Sequence, residues 1–433
     1  MQFYSTNNPA LRVSLKEAIF KGLPEDNGLF MPMEMPRLPD AFLKNLADHS
    51  FQDIAYAVAH NLLKDDIPAS DLRRIVESAI DFPAPVVQLD ADTYILELFH
   101  GPSLAFKDFG ARFMAQTMSY FNQGESQDLT ILVATSGDTG GAVAAGFYKT
   151  PGIRVVILYP SGKVSPLQEK QLTTLGHNIT ALEVDGTFDD CQAMVKKAFL
   201  DPEATAALRL SSANSINIAR LIPQSFYYFE AYKQVMHLGH DVVFSVPSGN
   251  FGNLTAGLFA QKMGLPVRQF IAATNANDVV PAYLESGAYS PRPSQRTLSN
   301  AMDVGAPSNF ARMLDLYCST WNIMREDISG YGFSDEDTRQ AMQAVHQATG
   351  YVLDPHGAVG YLALKTYQQK HPEHLGIILE TAHPSKFIED VESILGQDIP
   401  VPQRLADLAH AEKHAVQMPA NYAALKTWLL GSL

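Results

Sequence analysis

From Tyr94 onward, short apolar or β-branched runs alternate with segments of helical spacing, and this alternation restricts the fold more than any other feature of the chain. The runs are Tyr94–Phe99, Thr130–Ala134, Arg154–Tyr159, Ile179–Val184, Val242–Val246, Arg268–Ala273 and Gly376–Glu380. Helix candidates fall between them at Gly141–Tyr148, Pro166–Leu175, Phe188–Leu200, Ile216–Met236 and Leu254–Met263. Strands that alternate with helices form a mostly parallel sheet covered on both faces. The expectation is therefore an α/β fold, with ligands bound in loops beyond the C-terminal ends of the strands.

The flanks read differently. Residues 1 to about 85 form a lead-in with helical spacing at Val13–Phe20 and Phe51–Leu63, and Gly28–Pro36 is an irregular apolar connector. Pro83-Ala84-Pro85 marks a boundary. Between residues 277 and 345 helix and loop dominate, with Pro281, Pro291, Pro293 and Pro307, and Asp335–Ala348 reads as a helix capped by Ser334. The tail from 404 to 431 is helical in pattern.

The chain has 433 residues, enough for about two to four structural units. Its 32 basic and 46 acidic side chains give a net charge of −14, with no cluster of Lys and Arg, which argues against nucleic acid as a partner. An anionic ligand must then be received by a locally built site. Two cysteines exclude a disulfide framework and a Cys-based zinc site, and fit a reducing compartment. The first residues lack the basic and apolar blocks of a signal peptide, so a cytoplasmic location is expected. The uncharged window Val242–Gln261 is long enough for a membrane span, but Pro247, Ser248, Gly249, Asn250, Gly252 and Asn253 break it. A strand, a glycine loop and a helix start account for it better.

Three local features carry chemistry. Ser248-Gly249-Asn250-Phe251-Gly252-Asn253 follows one strand candidate and precedes a helix. Exposed amides at a helix start make an anion site suited to phosphate, although a plain strand-to-helix turn has the same look. The loop matches neither G-x-x-x-x-G-K-[ST] nor G-x-G-x-x-G. Thr135-Ser136-Gly137-Asp138-Thr139-Gly140-Gly141 follows a second strand candidate and could bind a carboxylate or simply cap a helix. Phe106-Lys107-Asp108-Phe109-Gly110 offers a lysine beside an aromatic ring. Desolvation would leave it a neutral nucleophile; in isolation, a surface lysine paired with Asp108 is the better reading.

Taken together, a lysine after an early strand, a Ser/Thr-rich glycine loop and a later S-G-N-x-G-N loop resemble the fold-type II pyridoxal-phosphate enzymes, the tryptophan-synthase-β-like family. The string Glu97–Gly110, with Thr297–Val304, Thr381–Phe387 and the lead-in, resembles the threonine synthase branch of that family over essentially the whole chain. The resemblance implies two open, mostly parallel sheets flanked by helices. It implies a mainly helical N-terminal extension (1–85), a large cofactor-binding α/β domain (86–120 and 186–403), a smaller mobile α/β subdomain (121–185) and a helical tail (404–433).

It further implies that pyridoxal 5'-phosphate is held covalently by Lys107, with its phosphate on Gly249, Asn250, Phe251, Gly252 and Asn253 and its ring nitrogen near Thr381. Ser136, Asp138 and Thr139 would surround the substrate carboxylate. Asp138 would also lie near the cofactor, where many relatives carry Asn. Asn214, Ser215 and Arg220 would take the substrate phosphate, with Lys163 as a further anion contact. The implied reaction makes L-threonine and phosphate from O-phospho-L-homoserine and water, with Lys107 moving the protons, in a monomer or small homo-oligomer. Ala105 and Phe109 depart from the wider family's S-F-K-D-R-G. A dehydratase of the same fold giving 2-oxobutyrate, and a cofactor-binding protein without turnover, are the alternatives. No metal site is expected: His371-Pro372-Glu373-His374 lacks H-E-x-x-H spacing and reads as surface histidines. His356, after Asp354-Pro355, stands at a helix start without an assigned role.

Overall fold

The computed structural model describes every residue except Ser136 and Leu433. All seven expected strands form, as Thr93–Glu97, Leu129–Ala134, Ile153–Pro160, Ile179–Asp185, Val242–Pro247, Val267–Thr274 and Leu375–Glu380. They divide between two sheets. The larger has six strands in the order Ile328–Gly332, Val267–Thr274, Val242–Pro247, Leu375–Glu380, Thr93–Glu97, Val86–Gln88. Its neighbours are parallel except the last pair, where Val86–Gln88 runs antiparallel. The smaller sheet is parallel throughout, in the order Val416–Pro419, Ile179–Asp185, Ile153–Pro160, Leu129–Ala134, Arg209–Ser211.

Strand Val242–Pro247 shows why these runs are apolar. Side chains alternate across the sheet. Val243 packs with Val359, Ala363 and Leu364 of helix Pro355–Gln368, and Ser245 donates its hydroxyl to the Gly360 carbonyl at 2.6 Å. Phe244 and Val246 face the opposite core, where Phe244 meets Tyr228 and Phe270. Both faces are covered, so alternation of polar and apolar residues is absent. Each such buried apolar side chain contributes about 1.5–3 kcal/mol.

Four expectations change. The lead-in carries helices Leu15–Lys21, Phe51–Leu63 and Ala69–Ala79, but also a three-stranded antiparallel sheet. Its central strand Gln2–Ser5 pairs with Arg12–Ser14 and with Phe30–Pro32 of the apolar connector. Ile216–Met236 is not one helix: Ile218–Leu221, the 3-10 turn Ile222–Ser225 and Phe226–Val235 succeed one another, with Pro223 inside the turn. The tail holds helices Gln403–Ala409 and Tyr422–Ser432 with strand Val416–Pro419 between them. The smaller sheet consequently draws on Arg209–Ser211 and Val416–Pro419, beyond the 121–185 span expected for that unit. Ser334 caps helix Asp335–Thr349, as expected, by accepting from the Asp337 amide. Among the described residues, no helix is long and apolar enough to cross a membrane.

Candidate active site

Loops at the C-terminal ends of strands from both sheets enclose two adjoining cavities, of about 140 Å³ and 450 Å³. Lys107, Thr139, Ser215, Asn250 and Ala301 line both. The narrow cavity adds the glycine loop, Arg220, His356 and Thr381, and the wide one adds Asp138, Gln168, Asn214 and Asp303.

The glycine loop leaves the strand at Pro247 and enters helix Gly252–Lys262. Among the described residues, the backbone N–H groups of Gly249, Asn250, Phe251, Gly252 and Asn253 make no hydrogen bond. Five consecutive free donors at a helix start, beside a cavity, form an anion receptor. Side chains hold the loop in this shape. Asn250 Nδ2 donates to Ser215 Oγ at 2.7 Å and its Oδ1 accepts from the Ser308 amide at 2.6 Å. Asn253 turns inward, donating to the Pro247 carbonyl at 2.9 Å and accepting from the Ser248 hydroxyl. Phe251 caps the helix in the left-handed region, with φ 59°. Gly249 has no alternative, since a Cβ there would come within 2.6 Å of the Met302 Cα.

Lys107 opens helix Lys107–Asn122 and points its amine into the cleft. Burial lowers its pKa to about 8, Asp138 opposing and Lys386 and Arg220 assisting. It does not pair with Asp108. That carboxyl is fully buried, accepts from the Ser103 amide at 2.8 Å, and is raised by burial to about 6. Asp138 lies 3.8 Å from the Lys107 nitrogen. Burial works against its ionisation, but Lys386 and Lys107, with a hydrogen bond from Gln168, outweigh it and hold the carboxyl well below the usual range. Lys386 is the residue that sequence reasoning missed, although it stood inside the string Thr381–Phe387; its nitrogen is 2.7 Å from Asp138 Oδ1.

In the second glycine loop, Thr135 performs the capping role: its hydroxyl accepts from the amides of Gly137 and Gly140 at 3.0 and 2.9 Å. Gly137 has φ 143°, and a Cβ there would overlap the Gln168 amide group. Among the described residues, the N–H groups of Asp138 and Thr139 find no partner. Ser136, expected at the substrate carboxylate, lies outside the described residues. Arg220 is buried in the narrow cavity, with Nη1 donating to the Ala213 carbonyl at 2.7 Å and Nε without a partner among the described residues. Burial lowers its guanidinium to about 10. Asn214 lines the wide cavity instead, so the structure sets Arg220 and Asn214 in different chambers that Ser215 joins. Lys163 is exposed and lines neither.

His356 is buried, with Nε2 accepting from the Ala301 amide at 3.2 Å and Nδ1 3.3 Å from Asp354. It thereby holds Ala301 and Met302 against Gly249. The histidines at 371 and 374 are not both on the surface: His374 is buried and hydrogen-bonded to Tyr367, and His371 stacks on both rings. Their nitrogens and Glu373 lie within 4.8 Å of one another, in the turn before strand Leu375–Glu380. Ring stacking and pairing with Glu373 account for the group, and Arg268 nearby works against a further cation.

Pyridoxal phosphate can be tested against this geometry. It needs a primary amine for its aldehyde and an anion receptor for its phosphate, and the half-buried Lys107 and the free amides beside it provide the two within one cavity. Comparison with known proteins agrees. Residues 80–379 match the family model described as "Pyridoxal-phosphate dependent enzyme", residues 2–80 match "Threonine synthase N terminus" and residues 357–429 match "Threonine synthase, C-terminal". Threonine synthase of Serratia marcescens is 46% identical, over 100% of this chain and 99% of its own. The crystal structure of threonine synthase from Escherichia coli superposes with a TM-score of 0.91 at 45% identity, covering 100% of both chains. The pyridoxal-phosphate-bound threonine synthase from Brucella melitensis gives 0.94 at 35% identity, covering 99% of both.

Proposed function

Since the chain belongs to the threonine synthase family of pyridoxal-phosphate-dependent enzymes, we propose that Lys107 is the lysine that carries the cofactor and that the loop Gly249–Asn253 receives its phosphate. The enzyme is a lyase that turns O-phospho-L-homoserine and water into L-threonine and phosphate. A carbon–oxygen bond breaks at the γ-carbon and another forms at the β-carbon. The bound cofactor supplies an electron sink next to the α-carbon. The observation that carries the assignment is the half-buried Lys107 amine sharing one cavity with five unpaired backbone donors.

Each remaining residue then has a physical task. Lys107, largely desolvated, accepts a proton from a substrate carbon as a neutral amine and returns it as an ammonium. Thr381 lines the narrow cavity, and its hydroxyl would hold the ring nitrogen. The free amides of Asp138 and Thr139 receive the substrate carboxylate. The Asp138 side chain does not: it is an anion already bound by Lys386, and a second carboxylate beside it would be repelled. Its place is toward Lys107 and the cofactor. Asn214 and Ser215 take the substrate phosphate from the wide cavity, and Arg220 supplies positive charge from behind Ser215. A cytoplasmic location fits two cysteines that are both free.

The test is a spectrum and a product analysis. Wild type supplied with pyridoxal phosphate should show the visible band of a lysine-bound cofactor and release threonine and phosphate from phosphohomoserine. Lys107→Ala should lose the band and at least about 10³-fold in kcat. Formation of 2-oxobutyrate without threonine would sink this reading.

A further inference from the structure

Lys386 lies in the short 3-10 turn Pro384–Phe387, after strand Leu375–Glu380 of the larger sheet. Asp138 opens helix Asp138–Phe147, after strand Leu129–Ala134 of the smaller one. Their side chains meet across the cleft at 2.7 Å, with 1% and 9% of their surfaces exposed. An ammonium buried so fully requires compensation. Asp138 Oδ1 provides it, together with the Ser103 carbonyl, which accepts from Lys386 at 2.9 Å. Gln168 Nε2 also donates to Asp138 Oδ1, at 2.9 Å. With Oδ1 engaged twice, Oδ2 is the oxygen left 3.8 Å from the Lys107 nitrogen.

We infer that Lys386 is a positioning residue for this reaction: it fixes Asp138 by Oδ1, so that Oδ2 is presented to Lys107 as a partly neutralised anion. The inference rests on Lys107 being the cofactor lysine. Asp138, Lys386 and Arg220 face the Lys107 amine, Asp108 lies behind Lys386, and His356 and Asp303 line the two cavities. Within that set, Lys386 is the cation in contact with the carboxylate nearest to Lys107. Removing its charge leaves Asp138 to act unopposed, which favours a proton on the Lys107 nitrogen. Removing the Asp138 charge does the reverse.

The experiment is a spectrophotometric pH titration of the holoenzyme, read from the visible band of the lysine-bound cofactor, with kcat and KM measured alongside. Lys386→Met should raise the midpoint by about one pH unit, and Asp138→Asn should lower it by a similar amount. Lys386→Arg should stay within about 0.3 unit of wild type, because it restores the charge. The loss in Lys386→Met should fall on kcat, by about tenfold, more than on KM. A residue that only supported the fold would lower the melting temperature and leave the midpoint in place. If Lys386→Met does not fold, Lys386→Gln, which keeps a donor without the charge, is titrated instead and should shift the same way. A wild-type midpoint in the uncharged variant overturns the inference while the cofactor assignment stands. Absence of any band in wild type overturns both.

Discussion

Lys107 gains its chemistry from burial. Its pKa falls to about 8 because desolvation outweighs the pull of Asp138. The neutral amine is the form that attacks an aldehyde, and its fraction grows as pH rises through that value. Uptake of pyridoxal phosphate by the apo-protein should therefore accelerate about tenfold per pH unit below 8 and level off above it. Stopped-flow absorbance would show this, and a rate flat between about pH 6 and 9 would refute it. The residue itself was legible because its neighbours in the chain, Glu97–Gly110, form one continuous string. Lys386 was not, because its meaning depends on Asp138, which another sheet delivers. The pairing of Lys107 with Asp108 failed for a related reason. Adjacent positions at a helix start point in different directions, and Asp108 turns back to cap the loop at Ser103.

At the scale of elements, long buried strands announce themselves and short ones do not. Val242–Pro247 carries its apolar run on both faces, whereas Val416–Pro419 is largely exposed and is held as a strand by its register with Leu182 through Asp185. Nothing local to the tail specifies that partner. The glycine loop lies between these cases, since its residue types were readable but its rigid backing was not. Gly249 rests on the backbone of the Ser299–Asp303 segment, and the 2.6 Å approach of an added Cβ to the Met302 Cα cannot be relieved by rotating a side chain. Gly249→Ala should shift the loop amides and weaken pyridoxal-phosphate binding by about tenfold or more. Gly252→Ala is the control, since its nearest neighbour would be Asn309 Nδ2 at 3.4 Å. Cofactor titration of the two variants checks the contrast: equal affinities would remove the role assigned to the Met302 contact.

For the whole molecule, the net charge of −14 hides an inward collection of cations. Arg220, Arg312 and Lys386 are all buried. Arg312 ties distant parts together without a carboxylate. It donates to the Phe30 carbonyl of the N-terminal sheet at 2.9 and 3.2 Å, to the Ile216 carbonyl at 2.7 Å, and to Asn309 Oδ1 at 2.7 Å. The N-terminal extension is thus bonded, through one guanidinium, to the segment that places Asn214 and Ser215 in the wide cavity. Arg312→Met would fill much of the same volume and leave two buried carbonyls without this donor. Losing such bonds costs roughly 2–4 kcal/mol, reduced by the burial penalty no longer borne by the charge. The melting temperature should fall. Because Ile216 is freed on the substrate side, KM for phosphohomoserine should rise several-fold while pyridoxal-phosphate affinity changes by less than about twofold. Calorimetry and steady-state kinetics test both halves. A lowered melting temperature with wild-type KM would mean that the Arg312 bonds stabilise the body without governing the substrate segment, which the extension also holds through Asn217 Nδ2 on the Ile19 carbonyl at 2.8 Å.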